Sequence, residues 1–207
     1  MWQYTNPDAI RPEWAEIVRI ANCPDHREYE GRMIPEIAAS EGISMEDAVR
    51  RCILGPRGKE TICIHFIIDE ADIETNLRHR LMMVGSDGIP DLRGRPHPRL
   101  FGTFPRVLGE YVRTRGVLSL EEAIRRMTSL SCDRFGLRDR GVIAVGQYAD
   151  LVVFDPDTVV DTATYDDPKQ EPTGIDWVIV NGHVTVDHGR HTGVGAGRLL
   201  FYGSDTL

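Results

Sequence analysis

A chain of 207 residues has room for one good hydrophobic core or two small ones. At 41% hydrophobic and 27% charged it reads as soluble and globular, and its net charge of -8, offset by no basic run, argues against non-specific nucleic-acid binding. No apolar window of about 18 residues occurs, so no helical membrane span is expected. Met1-Trp2-Gln3-Tyr4-Thr5-Asn6 has neither a basic region nor an apolar one, so no signal peptide is expected. Cys23, Cys52, Cys63 and Cys132 form no CxxC pair, which fits a reduced, cytoplasmic protein.

Residues 1–31 are rich in Pro, Asp and Asn, and their apolar positions Trp14, Ile17, Val18 and Ile20 suit either strand or helix. A short helix is predicted from Pro35 to Glu41, with Gly42 as its C-terminal cap. Ser44-Met45-Glu46-Asp47 is a loose capping box for a second helix ending at Gly55. The β-branched run Thr61–Ile68 predicts a strand buried on both faces. Asp69 then caps a helix to about Arg78, and Leu81–Val84 is the next predicted strand. Strand, helix and strand make a βαβ unit, which implies parallel strands.

A loop of about 17 residues follows Ser86, long enough to mark function or disorder. Phe104, Val107, Leu108, Tyr111 and Val112 recur at helical spacing, with Thr103 as the predicted cap and Gly116 as the stop. Ser119-Leu120-Glu121-Glu122 opens another helix with Ala123, Ile124, Met127 and Leu130 on one face. Near residue 138 the character changes to short strands and glycine turns. Ala149–Phe154 is predicted as a strand, and Asn181-Gly182 as the turn of a hairpin from Trp177–Val180 to His183–Val186.

Leu81-Met82-Met83-Val84 runs into Gly85-Ser86-Asp87-Gly88, an acid where an apolar strand meets a turn. Asp87 is either a turn residue capping backbone amides or a general base, since strand-end acids in α/β enzymes carry chemistry. Arg99 is either a solvated surface arginine or a bidentate carboxylate clamp. His97 beside it is a loop histidine or a second ligand. His65 is a hydrogen-bonded core residue or points into a barrel mouth. His188-Gly189-Arg190-His191 has roughly metal-like spacing but reads as a solvated turn. The basic clusters Arg93/Arg95/Arg99 and Arg125/Arg126 are expected to face solvent or an anionic small molecule. Cys52, Cys63 and Cys132 read as packing residues. There is no dinucleotide-binding fingerprint, P-loop or nucleophile elbow.

Gly85-Ser86-Asp87-Gly88, His97-Pro98-Arg99 with Gly102-Thr103-Phe104-Pro105-Arg106, and the Ala149–Asp155 strand together resemble the N-acyl-D-amino acid deacylases of the amidohydrolase superfamily. The resemblance implies an α/β fold: the C-terminal part of a (β/α)8 barrel, with strands 7 and 8 and their helices, over residues 1–138. Residues 139–207 would be strands of a small β-sandwich. It implies hydrolysis of the amide of an N-acyl-D-amino acid to a carboxylate and a D-amino acid. Asp87 would be the strand-8 aspartate that activates a zinc-bound water, at most contacting the metal itself. Arg99 would bind the α-carboxylate, with His97, Ser86 and Gly88 also at the substrate.

The family's strand-1 His-x-His, its bridging cysteine or carboxylated lysine, and its histidines after strands 5 and 6 have no counterpart in this sequence. Zinc would therefore take its main ligands from elsewhere. The expected partners are the small-molecule substrate and an N-terminal half or a second copy, with neither nucleic acid nor membrane. The alternative is a non-catalytic interaction protein or an inactive remnant of the fold.

Overall fold

The computed structural model describes residues 12–201. It mixes helices with two antiparallel sheets, and the chain divides into two compact units that interleave along the sequence. The first holds Met1–Asp69, Gly88–Leu100 and Thr164–Lys169; the second holds Glu70–Asp87, Phe101–Ala163 and Gln170–Leu207. No helix among the described residues is long and apolar enough to cross a membrane.

In the first unit a 3-10 turn, Pro12–Ile17, feeds strand β1 (Val18–Asn22). Helix α1 (Ile34–Glu41) starts where Glu36 accepts the Met33 amide at 2.9 Å, and it ends on Gly42 at φ 64°. Helix α2 (Met45–Leu54) is capped by the Ser44 hydroxyl, which accepts the Asp47 amide at 3.1 Å. Ile20, Cys23, Tyr29, Ile34, Ile37, Ala48 and Cys52 form the core these elements share. Burial pushes the Cys52 thiol up to about 12, with Cys23 beside it.

Strand β2 (Ile62–His65) pairs antiparallel with β1, placing Val18 opposite His65 and Ile20 opposite Cys63. The expected strand buried on both faces is therefore shorter and half-wet. Ile64 is buried, while Cys63 and His65 are exposed, as are Ile67 at 68% and Ile68 at 69%.

In the second unit helix α3 (Glu70–Arg78) leads to the Leu81–Val84 segment. That segment is not the predicted strand, and no parallel βαβ unit forms with β2 among the described residues. A ladder needs backbone partners on a neighbouring strand. Here the Met82 amide turns back to the His79 carbonyl at 3.0 Å instead.

Helix α4 (Arg99–Arg106) begins four residues before the predicted cap, so Thr103 lies inside it. It runs on as a wide π-helical stretch, Val107–Thr114, in which the Arg115 amide reaches the Glu110 carbonyl at 2.8 Å. Pro105 offers no amide to the helix ladder. The widening also meets a close neighbour: a side chain on Gly109 would lie 2.7 Å from the Val159 carbonyl oxygen. Gly116 at φ 60° ends the run. Helix α5 (Leu120–Met127) is capped by the Ser119 hydroxyl, which accepts the Glu122 amide at 3.2 Å, and α6 (Ser129–Phe135) follows. Leu77, Val107, Leu108, Tyr111, Ala123 and Val159 make the core.

Strands β3 (Leu151–Phe154), β4 (Ile175–Val180), β5 (His183–Asp187) and β6 (Arg190–His191) form one antiparallel sheet in sequence order. Asn181 at φ 49° and Gly182 at φ 81° give the β4–β5 hairpin the tight primed turn that Asn-Gly favours. The buried Arg140 pairs with Asp150 and donates to the Asn181 side-chain oxygen at 2.7 Å, fixing that turn from below.

Candidate functional site

The segment that carries Asp87 belongs to the second unit. Met82 and Val84 pack against the core through one side of the segment. The Val84 amide donates to the carbonyl of Arg126 at 3.3 Å. Arg126 is itself 4% exposed, which corrects the expectation of a solvent-facing Arg125/Arg126 pair. Its guanidinium donates to Glu122 at 2.6 Å, to the His79 carbonyl at 2.9 Å and to the Leu77 carbonyl. It thus satisfies carbonyls at the end of α3, which have no helical partner of their own. Arg125 and Arg126 hold the Glu122 carboxyl at about 2.

Beyond Val84 the chain emerges through Gly85 and Ser86 to Asp87. Ser86 is half-buried and Asp87 is exposed. Asp87 stands at φ 46°, the left-handed region, which aspartate tolerates better than most residues. The result is a carboxylate held at a sharp turn with a core-packed stretch behind it.

Gly88, His97 and Arg99 belong to the first unit. The loop between them is anchored rather than loose. Gly94, at φ 60°, passes so close to β1 that a side chain there would meet the Ala21 carbonyl oxygen at 2.1 Å. The Arg95 amide donates to that carbonyl at 2.7 Å. Arg93 makes a fork onto Asp91 and reaches Glu60 at 2.8 Å. Arg57 and Arg93 together lower the Glu60 carboxyl to about 2, and Arg93 lowers Asp91 to about 2. Arg93 and Arg95 are exposed, as expected, and Arg93 also ties the loop to Glu60 while Arg95 does so through its backbone amide.

The loop ends on His97, whose ring Nδ1 accepts the Arg99 amide at 3.0 Å and whose carbonyl accepts the Leu100 amide at 3.1 Å. Its Nε2 lies 3.2 Å from the Tyr165 hydroxyl. The Tyr165 ring sits edge-on to His97 and contacts Phe66 at 4.9 Å between centroids. Arg99 is half-buried in the first turn of α4. Sequence reasoning missed Tyr165 and Phe66. They fit no motif, and only the fold brings residue 165 to residue 97.

His65 is not a core residue; it pairs with Val18 of β1 and is exposed at the end of β2. His188 lies on a turn, bonded to Asp187 at 2.7 Å and packed on the Trp177 ring. Among the described residues no three His, Cys, Asp or Glu side chains gather where they could hold a metal ion. These residues alone do not fit a zinc centre, which needs about three protein ligands.

A family model described as the amidohydrolase family matches residues 34–186. A D-aminoacylase of Alcaligenes xylosoxydans xylosoxydans is 47% identical over 178 residues, which is 86% of this chain and 35% of the relative. The crystal structure of a D-aminoacylase said to define a novel subset of amidohydrolases superposes with a TM-score of 0.81 at 42% identity. It covers 92% of this chain and 40% of that one. An N-acyl-D-glutamate deacylase from Bordetella bronchiseptica, solved with zinc and a phosphonate mimic of the tetrahedral intermediate, gives a TM-score of 0.77 at 44% identity, over 84% of this chain and 36% of that one. The chain thus spans about a third of the length of the curated relatives it matches. With three-quarters of its length inside the family model and nearly half of its aligned residues identical to such relatives, this chain belongs to the amidohydrolase family.

Proposed function

We propose that this chain is the C-terminal part of a metal-dependent hydrolase that cleaves the amide of N-acyl-D-amino acids. In this reading the Thr61–Ile68 and Leu81–Val84 segments, which form no parallel ladder among the described residues, become strands 7 and 8 of a (β/α)8 barrel only against the rest of the enzyme, and residues 139–207 return as sandwich strands. The observation that carries it is Asp87: a chain 47% identical to a D-aminoacylase presents this carboxylate at a left-handed turn, exposed, with its backbone anchored behind it. Local strain at an acid is a reason to look for function there.

Asp87 takes a proton from the water that attacks the acyl carbonyl and passes it to the departing amine nitrogen. The C–N bond breaks, and a carboxylate and a free D-amino acid leave. Arg99 grips the α-carboxylate with its planar fork, helped by Ser86, Gly88 and the His97 loop. In this reading the main zinc ligands would come from a partner, an N-terminal half of the enzyme, and the metal would polarise the acyl carbonyl; the lack of a metal-holding cluster among the described residues supports it. The same observation favours a second reading, in which the chain is a non-catalytic interaction protein.

The test is release of free D-amino acid from N-acetyl-D-amino acids. The chain would be assayed alone, and again after co-expression with a partner that carries the missing histidine and cysteine or lysine ligands. Turnover in the assembly only, lost on chelation, supports the deacylase. An assembly that forms, holds zinc and releases no D-amino acid supports the interaction protein and overturns the first reading.

A further inference from the structure

We propose that Tyr165 is a positioning residue for Arg99, acting through the His97 ring. The proposal rests on the reading of Arg99 as the carboxylate clamp. Helix α4 starts at Arg99, and its first amides have no partner inside the helix. His97 supplies two: its ring Nδ1 accepts the Arg99 amide at 3.0 Å, and its carbonyl accepts the Leu100 amide at 3.1 Å.

An Nδ1 that accepts a backbone N–H carries no hydrogen of its own. The neutral ring then bears its hydrogen on Nε2. That nitrogen faces the Tyr165 hydroxyl at 3.2 Å, so it donates to the phenol oxygen. The Arg99 amide requires this tautomer, and Tyr165 anchors the far side of the ring that carries it. The edge-on packing of the two rings, at 5.2 Å and 74°, sets the direction of the imidazole. Phe66 contacts the Tyr165 ring from another element, 4.9 Å away, and keeps it in place. Arg99 leaves the helix at the turn this chain of bonds defines. A bidentate fork needs its root held to a fraction of an ångström, and that is what a two-bond cap supplies.

Tyr165→Phe keeps the ring and its packing and removes only the oxygen. Nitrogen-15 NMR of the full chain reads the His97 tautomer, and amide exchange reads the Arg99 N–H. The wild type should show hydrogen on Nε2 and a protected Arg99 amide. In Tyr165→Phe the ring loses its second anchor, and Arg99 exchange should accelerate by about tenfold, the scale of one lost hydrogen bond. If Arg99 exchange stays at its wild-type value, the proposal is overturned.

Should Tyr165→Phe also speed exchange at Ile20 and Ile37, so that the whole unit is loosened, the double variant Tyr165→Phe/His97→Asn decides. An asparagine side chain reaches the amide two residues on without a ring that needs a second anchor. Recovery of Arg99 protection then supports the relay, and its absence overturns it. Failure of the clamp reading shows elsewhere, as an Arg99→Lys variant whose KM for N-acyl-D-amino acids is unchanged in the active assembly.

Discussion

The amide of Val84 rests on the carbonyl of Arg126, so a residue on α5 sets the height from which the chain turns out to Asp87. The buried guanidinium of the same arginine holds the end of α3. Replacing Arg126 by Met keeps much of the volume and strands the Leu77 and His79 carbonyls, while Glu122 keeps Arg125. We expect a loss of about 2–4 kcal/mol, the scale for leaving buried partners of a charge unpaired. The midpoint of urea unfolding measures it, and a variant within about 0.5 kcal/mol of wild type would refute it.

Asp87 and Arg99 should separate kinetically in the active assembly. Asp87→Asn preserves shape and removes the proton acceptor, so kcat should fall by about 10²-fold or more with KM little changed. Arg99→Lys preserves charge and loses the fork, so KM should rise, while a substrate whose α-carboxylate is amide-capped should be indifferent. Normal turnover by Asp87→Asn would return that residue to a turn role.

The turn at Asp87 also has a stability signature. At φ 46° a β-carbon is strained and glycine is not. Asp87→Gly should therefore be more stable than Asp87→Ala by about 1 kcal/mol, although both lack the carboxylate. Thermal melts of the two variants side by side give the comparison, and equal melting temperatures would contradict it.

Gly94→Ala should be among the costliest single-methyl changes in the chain. The new β-carbon would meet the Ala21 carbonyl oxygen at 2.1 Å, at a φ of 60°. A loss of about 2 kcal/mol or more is expected, with faster exchange of the Arg95 amide. Unchanged stability would mean that the loop is not seated on β1.

Acid should loosen the same loop. Glu60 titrates at about 2 instead of its ordinary 4.5, and Asp91 at about 2 instead of 3.8, because arginines hold their charged forms. A carboxylate lowered in the folded state lends stability that is present above the unfolded value and lost as pH falls through the folded one. The contribution should therefore fade between about pH 4.5 and pH 2. Glu60→Gln should flatten that limb of the stability profile. Both groups are partly exposed, so salt should weaken the effect, and a profile identical to wild type would refute it.

Much of the framework was legible in the residues. Ser44, Ser119, Gly42 and the Asn181-Gly182 turn act on neighbours a few positions away, so local spacing reveals them. Leu81–Val84 was misread because a short apolar run specifies burial but not a ladder partner. Thr103 looks like the cap in sequence because the cap itself is a histidine, which lies outside the usual capping residues. Arg126 and Tyr165 were beyond reach for a different reason. Their partners lie 49 and 68 positions away, and nothing in either residue's immediate neighbours announces the meeting. Asp87 and Arg99 stood out through their motifs, while the bonds that hold them did not.

The Asn181-Gly182 turn bears on how this protein ages. An asparagine followed by glycine is the pair most prone to deamidation, because the glycine nitrogen can attack the side-chain amide, and asparagine is accordingly counted among heat-labile residues. In the folded chain the Gly182 nitrogen is occupied with the Ala149 carbonyl at 2.9 Å. The Asn181 amide group is held at both ends, by Arg140 at 2.7 Å and by the Ala196 carbonyl at 2.6 Å. Folding therefore shields the chain's most perishable peptide bond, and chemical decay in storage should report how often this hairpin opens.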